Sequence, residues 1–295
     1  MTILALEDTE LYYELHGEGP PLVFLHGASG THLSWWQQVA ELRYHYSCLI
    51  YDLRGFGRSR AKKPYDVGDG HLLLRDLESL IEHVGFGGQK INLMGSSLGS
   101  GPALHFAVEH PERIEKLVLV CGIGGVTTAR IAAAWEERRT RMQERQRELQ
   151  ARFQSGGPAI AARGVPPVRS PGERERFAVA YHPYGPVGEA MHLDFPALTF
   201  LYAEIMASSD GPPTAKTMPV FDACKVTAEV AARLQFPVLV VGGSEDPLFG
   251  AAEMEEAATL FPRGQCNLFK GAGHLAYFER PRRFNDAVLA FLRGS

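Results

Sequence analysis

Five residues constrain this chain more than any other feature. Gly95-Ser96-Ser97-Leu98-Gly99 stands between the apolar run Ile91-Asn92-Leu93-Met94 and a helix-forming stretch, Pro102-Ala103-Leu104-His105-Phe106-Ala107. A G-x-S-x-G pentapeptide in that setting demands a sharp strand-to-helix turn with its serine in a strained backbone conformation. A bulky residue at 95 or 99 would collide with the neighbouring strand or helix. The turn points to Ser97 as a covalent nucleophile. It also aims the Leu98 amide, at the start of the helix, toward the reacting centre, where negative charge develops.

The surrounding pattern agrees with that demand. Leu22–Leu25, Ser47–Tyr51, Ile91–Met94 and Lys116–Val120 read as short apolar strands. A helix is expected over 70–84, with Leu73, Leu77, Leu80, Ile81 and Val84 on one face. Strands alternating with helices predict an α/β fold: a mostly parallel central sheet with helices on both faces. The strand runs are continuously apolar, as in strands buried on both sides. Residues 126–232 break the pattern and show no clear strand. A charge-rich helix is expected over 128–154, with Ile131, Trp135, Met142, Leu149 and Phe153 in one narrow apolar stripe. Residues 155–172 are rich in Gly, Pro and Arg and read as a loose connection. A second helix is expected over 190–208. Strands resume at Pro237–Val241 and Cys266–Phe269, and a last helix spans 281–293. The expectation is a core of residues 1–125 and 233–295, split by a helical cap insertion at 126–232.

Composition narrows the function. A net charge of −4 gives no argument for nucleic acid or an anionic membrane. No stretch approaches the roughly 18 apolar residues needed to span a bilayer. The N-terminus lacks the basic and apolar regions of a signal peptide. Cys48, Cys121, Cys224 and Cys266 are far apart, without metal-ligand spacing. The expected partner is a small-molecule substrate, with no nucleic acid, no membrane, no metal and no cofactor. The expected location is cytoplasmic, and the expected state is a monomer or homodimer.

A serine hydroxyl needs a histidine to take its proton and a carboxylate to orient that histidine. After a nucleophile of this kind the partners follow in chain order, acid then base. Asp246 stands at the turn after strand 237–241, just before Pro247; Glu245 is the rival at the same turn. Cys121-Gly122-Ile123-Gly124-Gly125 offers no acid after strand 116–120. His274 lies downstream of Asp246 in a Gly-rich loop, Gly271-Ala272-Gly273-His274. His26 is upstream and reads as a hydrogen-bonder that shapes its turn. His105 and His110 fall behind Ser97, where packing or exposure fits better. His182 and His192 lie in the insertion, where a substrate contact is open to either. For the oxyanion hole, the amide of Ala28, directly after His26-Gly27, joins that of Leu98. Ser29 either donates to substrate or caps the helix near Thr31. Trp35, Trp36, Phe195, Tyr202, Phe249 and Leu275 are candidate pocket walls, with core packing as the alternative for each.

These segments together resemble the α/β-hydrolase superfamily, in the group with a helical cap over the active site. The resemblance is carried by His26–Gly30, Asp52-Leu53-Arg54-Gly55-Phe56-Gly57-Arg58-Ser59, Gly95–Gly99, Gly243–Pro247, and Gly273-His274 with Glu279-Arg280-Pro281. It implies that Ser97, Asp246 and His274 form the triad and that Asp52–Ser59 is a structural loop. Serine at 97, rather than aspartate, argues against the epoxide-hydrolase and haloalkane-dehalogenase branches. Esterases, enol-lactonases and carbon–carbon bond hydrolases of small cyclic or aromatic compounds are nearest in kind, by analogy of fold. The expected activity is serine hydrolysis of an ester or lactone of a small, largely apolar molecule. The rivals are carbon–carbon hydrolysis or lyase/cyclase chemistry with the same triad, and a non-catalytic ligand receptor.

Overall fold

A computed structural model describes residues 2–28, 30–62, 70–154, 191, 195–207, 217, 220 and 223–294. The strands are β1 (Thr2–Ala5), β2 (Thr9–His16), β3 (Pro21–Leu25), β4 (Ser47–Tyr51), β5 (Arg60–Ala61), β6 (Ile91–Ser96), β7 (Ile114–Val120), β8 (Val126–Thr127), β9 (Val226–Thr227), β10 (Val238–Gly243) and β11 (Gly264–Phe269). The helices used below are α1 (Trp36–Leu42), α2 (His71–His83), α3 (Ser100–Glu109), α4 (Ala129–Gln154), α5 (Pro196–Ala207), α6 (Ala251–Thr259), α7 (Ala276–Glu279) and α8 (Pro281–Arg293).

The main sheet runs β1-β2-β4-β3-β6-β7-β10-β11, with β5 against β2. From β4 to β11 every pairing is parallel, while β1 and β2 form an antiparallel edge. Alternation explains why the strand runs are apolar throughout. Leu22 and Phe24 face the cluster that contains α1 and α8, whereas Val23 and Leu25 face the one that contains α2, α3 and α6. Successive side chains point to opposite faces, so a strand covered on both needs apolar residues at every position. Each fully buried Leu, Val or Phe contributes about 1.5–3 kcal/mol. α2 buries Leu73, Leu77, Leu80 and Ile81, the face its spacing predicts.

The chain leaves β3 for β4 on one side and returns to β6 on the other. The crevice between the β3 and β6 tips is the switch point where open α/β sheets hold ligands. In-register pairs align the neighbouring tips: Leu25 with Gly95, Ser96 with Val120, Val120 with Val241, and Gly243 with Phe269. The loops after β3, β6, β10 and β11 therefore emerge along one edge.

One sequence expectation is corrected. Residues 126–232 do contain strand: β8 and β9 pair in parallel through Val126↔Val226 and Thr127↔Thr227. Two residues are too few to give a periodic signal. α4 matches the helix expected over 128–154, while α5 starts at Pro196, later than the expected 190, and ends at Ala207, within a residue of the expected 208. The connection 155–172 lies outside the described residues, as do the side chains of Met142, Leu149 and Phe153. Among the described residues, no helix is long and apolar enough to cross a membrane.

Candidate active site

Ser97 has φ +49°, one of two positive-φ non-glycine residues among those described. Such a conformation is costly and persists only where the surroundings enforce it. The enforcement comes from close packing. A Cβ on Gly95 would lie 2.4 Å from Gly99 O and 2.8 Å from Ala103 Cβ. A Cβ on Gly99 would lie 2.6 Å from the carbonyl oxygens of both Leu25 and His26. Ser100 Oγ donates to Ser97 O at 2.5 Å and accepts from Gly124 N at 3.2 Å, bracing the turn from behind. Leu98 lies inside the first turn, where amides have no partner within the helix.

The loop after β3 lies against this turn. A Cβ on Gly27 would stand 3.2 Å from Ser97 Cβ. Gly30 N donates to Gly27 O at 3.0 Å, which closes a tight turn around Ala28. His26 shapes it: its Nδ1 donates to Gly27 O at 2.8 Å and its Nε2 accepts from Leu53 N at 2.9 Å. Both ring nitrogens are used by backbone, and burial holds His26 below the usual histidine range. Ser29 lies outside the described residues.

Asp246 is buried at 6% exposure, and Glu245 beside it is exposed. Asp246 Oδ1 accepts from Leu248 N at 2.7 Å and Phe249 N at 3.0 Å. Its other oxygen, Oδ2, accepts from His274 Nδ1 at 2.8 Å. A carboxylate only accepts, so Nδ1 carries a proton, and in the neutral ring Nε2 is then the acceptor. His274 is 4% exposed and Ser97 9%. The structure thus joins Asp246 to His274 and sets Ser97 on the same edge of the sheet. A model of the alpha/beta hydrolase family matches residues 22–287.

The chain belongs to the alpha/beta hydrolase family.

Relatives of this hydrolase differ in chemistry. It is 24% identical to 3-oxoadipate enol-lactonase 2 of Acinetobacter baylyi over 296 residues, covering 98% of this chain and 96% of that protein. It is similar to a thermophilic esterase from Thermogutta terrifontis, with a TM-score of 0.72, 24% identity, and coverage of 99% and 98%. It also resembles a Bacillus megaterium epoxide hydrolase in fold, with a TM-score of 0.73, 18% identity, and coverage of 99% and 100%.

The remaining candidate residues separate within the hydrolase. Phe249 stacks on His274 at 5.9 Å and on Trp135 of α4 at 5.5 Å. Trp135, Phe249, Ile131 and Ser100 line a cavity of about 180 Å³. Trp135 and Ser100 were not singled out from sequence as wall and brace. The apolar stripe of α4 carried the signal for the first. Trp35 is sealed between Phe24 and Tyr277 at 5.3 and 4.7 Å, a packing position. Leu275 and Tyr202 are buried in the same cluster, with Tyr202 edge-on to Phe278 at 5.2 Å. Trp36 and Phe195 are exposed.

Asp52 is structural in its contacts. It accepts from His32 N, His32 Nδ1 and Arg58 N at 2.6, 2.8 and 2.8 Å. Burial raises its pKa, but the His32 bond and charge, with His26 and the Arg58 amide, hold it below the usual carboxylate range. His105 lies by His71 at 6.3 Å, and His110 pairs with Glu78 at 2.8 Å. His182 and His192 lie outside the described residues. Among the described residues, no three His, Cys, Asp or Glu gather to hold a metal.

Proposed function

We propose that this hydrolase cleaves a carboxylic ester or lactone of a small, largely apolar molecule by serine acyl transfer. The Asp246–His274 hydrogen bond carries the reading, because it leaves Nε2 as a base on the edge that presents Ser97. His274 Nε2 takes the Ser97 proton as Oγ attacks the substrate carbonyl. The tetrahedral oxyanion is held by the amides of Ala28 and Leu98. Collapse expels the alcohol, which receives the proton from His274 and leaves an acyl-enzyme. Water, deprotonated by His274, then attacks the acyl carbon; the acid departs and Ser97 regains its proton. Asp246 holds the ring and stabilises the imidazolium formed in each half.

The residues 126–232 would cap this site and shape its pocket. The Trp135–Phe249–His274 stack supports that reading, since α4 supplies the outer ring of an aromatic stack that ends on the base. The test is a screen of aryl esters, lactones and vinylogous diketones, with Ser97→Ala as control and a phosphonate adduct mapped by mass spectrometry. Ester or lactone turnover that vanishes in Ser97→Ala, with the adduct on Ser97, is the expected result. Turnover of diketones alone would give the carbon–carbon reading. An adduct on Ser96 or none, with full activity in Ser97→Ala, would refute the nucleophile.

A further inference from the structure

The proposed cycle leaves one buried carboxylate without a role. Glu279 ends α7, the short helix after His274, and is 4% exposed. Both of its oxygens accept from Gly273 N, at 3.1 Å each. An ionised carboxylate can share one N–H between its two oxygens in this way. Gly273 immediately precedes His274, so Glu279 clamps the backbone from which the imidazole hangs. The same loop is locked from the other side. Glu245 N donates to Ala272 O at 3.0 Å, and a Cβ on Gly243 would lie 2.0 and 2.2 Å from Ala272 O and Gly273 O.

The charges around this loop come from several elements. Asp246 approaches from the turn after β10 and bonds His274 directly. Cys121, at the end of β7, feels both Asp246 and Glu279; burial first, and then these carboxylates, push its thiol well above the usual range. Tyr202 of α5 and Tyr277 of α7 are likewise pushed up, mainly by burial. These three groups are therefore uncharged near neutral pH and add no negative charge of their own. Arg280 reaches the carbonyls of Gly271 and Glu279 at 3.3 and 3.1 Å. Beyond Phe249, Arg138 and Glu253 neutralise each other in a 2.7 Å ion pair.

We propose that Glu279 is a positioning residue for the base: it fixes the His274 backbone through Gly273 and supplies a second buried negative charge that favours the imidazolium formed as Ser97 attacks. The inference rests on the proposed Ser97–His274 reading. A charge in a buried setting acts over a longer distance than one in water, so direct contact with the ring is not required. Two substitutions separate the two roles. Glu279→Gln keeps an oxygen for Gly273 and removes the charge. Glu279→Asp keeps the charge and shortens the reach by one methylene.

The measurement is the rate of Ser97 labelling by a small fluorophosphonate across the histidine range, about pH 5 to 9. Thermal melts and a His274→Ala control accompany it. In Glu279→Gln the acid-side fall should move to lower pH by about 0.5–1 unit, because the imidazolium loses a favourable neighbour. In Glu279→Asp it should stay within about 0.2 unit, while the plateau rate drops about tenfold through misplacement of the base. Coincident profiles for Glu279→Gln and the native chain would overturn the proposal. So would a Glu279→Asp profile displaced downward, which decides the matter alone if Glu279→Gln does not fold. Labelling absent from Ser97, or unchanged in His274→Ala, would instead refute the nucleophile–base reading and take this inference with it. Labelling that needs His274 but ignores Glu279→Gln would defeat the inference alone.

Discussion

Replacing Asp246 by Asn changes one atom, and the structure dictates what that atom does. Oδ1 accepts from two backbone amides, Leu248 N and Phe249 N, while Oδ2 accepts from His274 Nδ1. In Asp246→Asn the carbonyl oxygen can serve only one side. Turning the NH2 toward Leu248 and Phe249 would leave two amides unsatisfied, at about 1–3 kcal/mol each. The oxygen therefore stays on the backbone, favoured by roughly 2–6 kcal/mol, where each ~1.4 kcal/mol is a factor of ten in population. The NH2 then faces His274, whose Nδ1 must become an acceptor. The ring proton moves to Nε2, the atom that should take the serine proton. A base in the wrong tautomer should cost about 10⁴-fold in kcat, or ~5.4 kcal/mol of barrier. The fold should hardly notice, since both backbone bonds survive. Kinetics on the best aryl ester, fluorophosphonate labelling and a thermal melt check all three parts. Glu245→Gln, on an exposed neighbour, is the control and should lose little. An Asp246→Asn protein with native melting and more than about a tenth of native kcat would refute the tautomer argument.

Gly99→Ala should destabilise the protein by roughly 3 kcal/mol in urea unfolding, because its Cβ meets two backbone carbonyls that cannot move independently. A loss below about 1 kcal/mol would mean that β3 and the turn part easily. Trp135→Ala should lower kcat/KM for bulky esters more than for small ones, by roughly 1–3 kcal/mol, and leave labelling by a very small phosphonate nearly unchanged. An equal loss on all substrates and on the probe would mean that Trp135 supports His274 through Phe249 rather than walling a pocket. Burial depresses the pKa of His26, so the folded chain resists a proton that the unfolded chain takes up below about pH 6.5. The resulting stability is present above that pH and lost as pH falls, by up to about 1.4 kcal/mol per unit. Urea unfolding at about pH 8 and about pH 5 should show a smaller acid loss in His26→Gln than in the native chain, and equal losses would contradict the assignment.

The sheet was legible because its signals are local. Runs such as Leu22–Leu25 need apolar residues on both faces, and α2 repeats its buried leucines at helical spacing. The antiparallel edge was not legible: Thr9–His16 mixes buried and exposed positions, and its partners are set by long-range pairing. The sequence favours Asp246 over Glu245 only by its place before Pro247; the burial of Asp246, the two backbone amides on its Oδ1 and the exposure of Glu245 depend on a folded turn that the sequence does not display. Pocket walls were the least legible. An exposed Trp36 and a sealed Trp35 are adjacent in sequence, and only the packing of Phe24 and Tyr277 separates their fates. Glu279 read as part of a motif; its grip on Gly273 needs the turn of α7 to bring six residues of chain back on themselves.

The pairing of β8 with β9 has a consequence for how such a chain changes over time. The polypeptide departs at Val126 and re-enters at Val226 through adjacent residues held in parallel, with Val226 N donating to Gly125 O at 2.9 Å. Because the two ends are fastened to each other, closure of the intervening stretch is borne at this neck and not by the sheet. Loop-closure entropy grows only slowly with length, by about 0.6 kcal/mol per doubling. Segments of different size and composition could be exchanged between those two points with little effect on the register of β7 and β10. The neck is thus a fixed gauge for the chain: whatever stands between Val126 and Val226, the gap its two ends must span is set by one short bridge and not by the sheet.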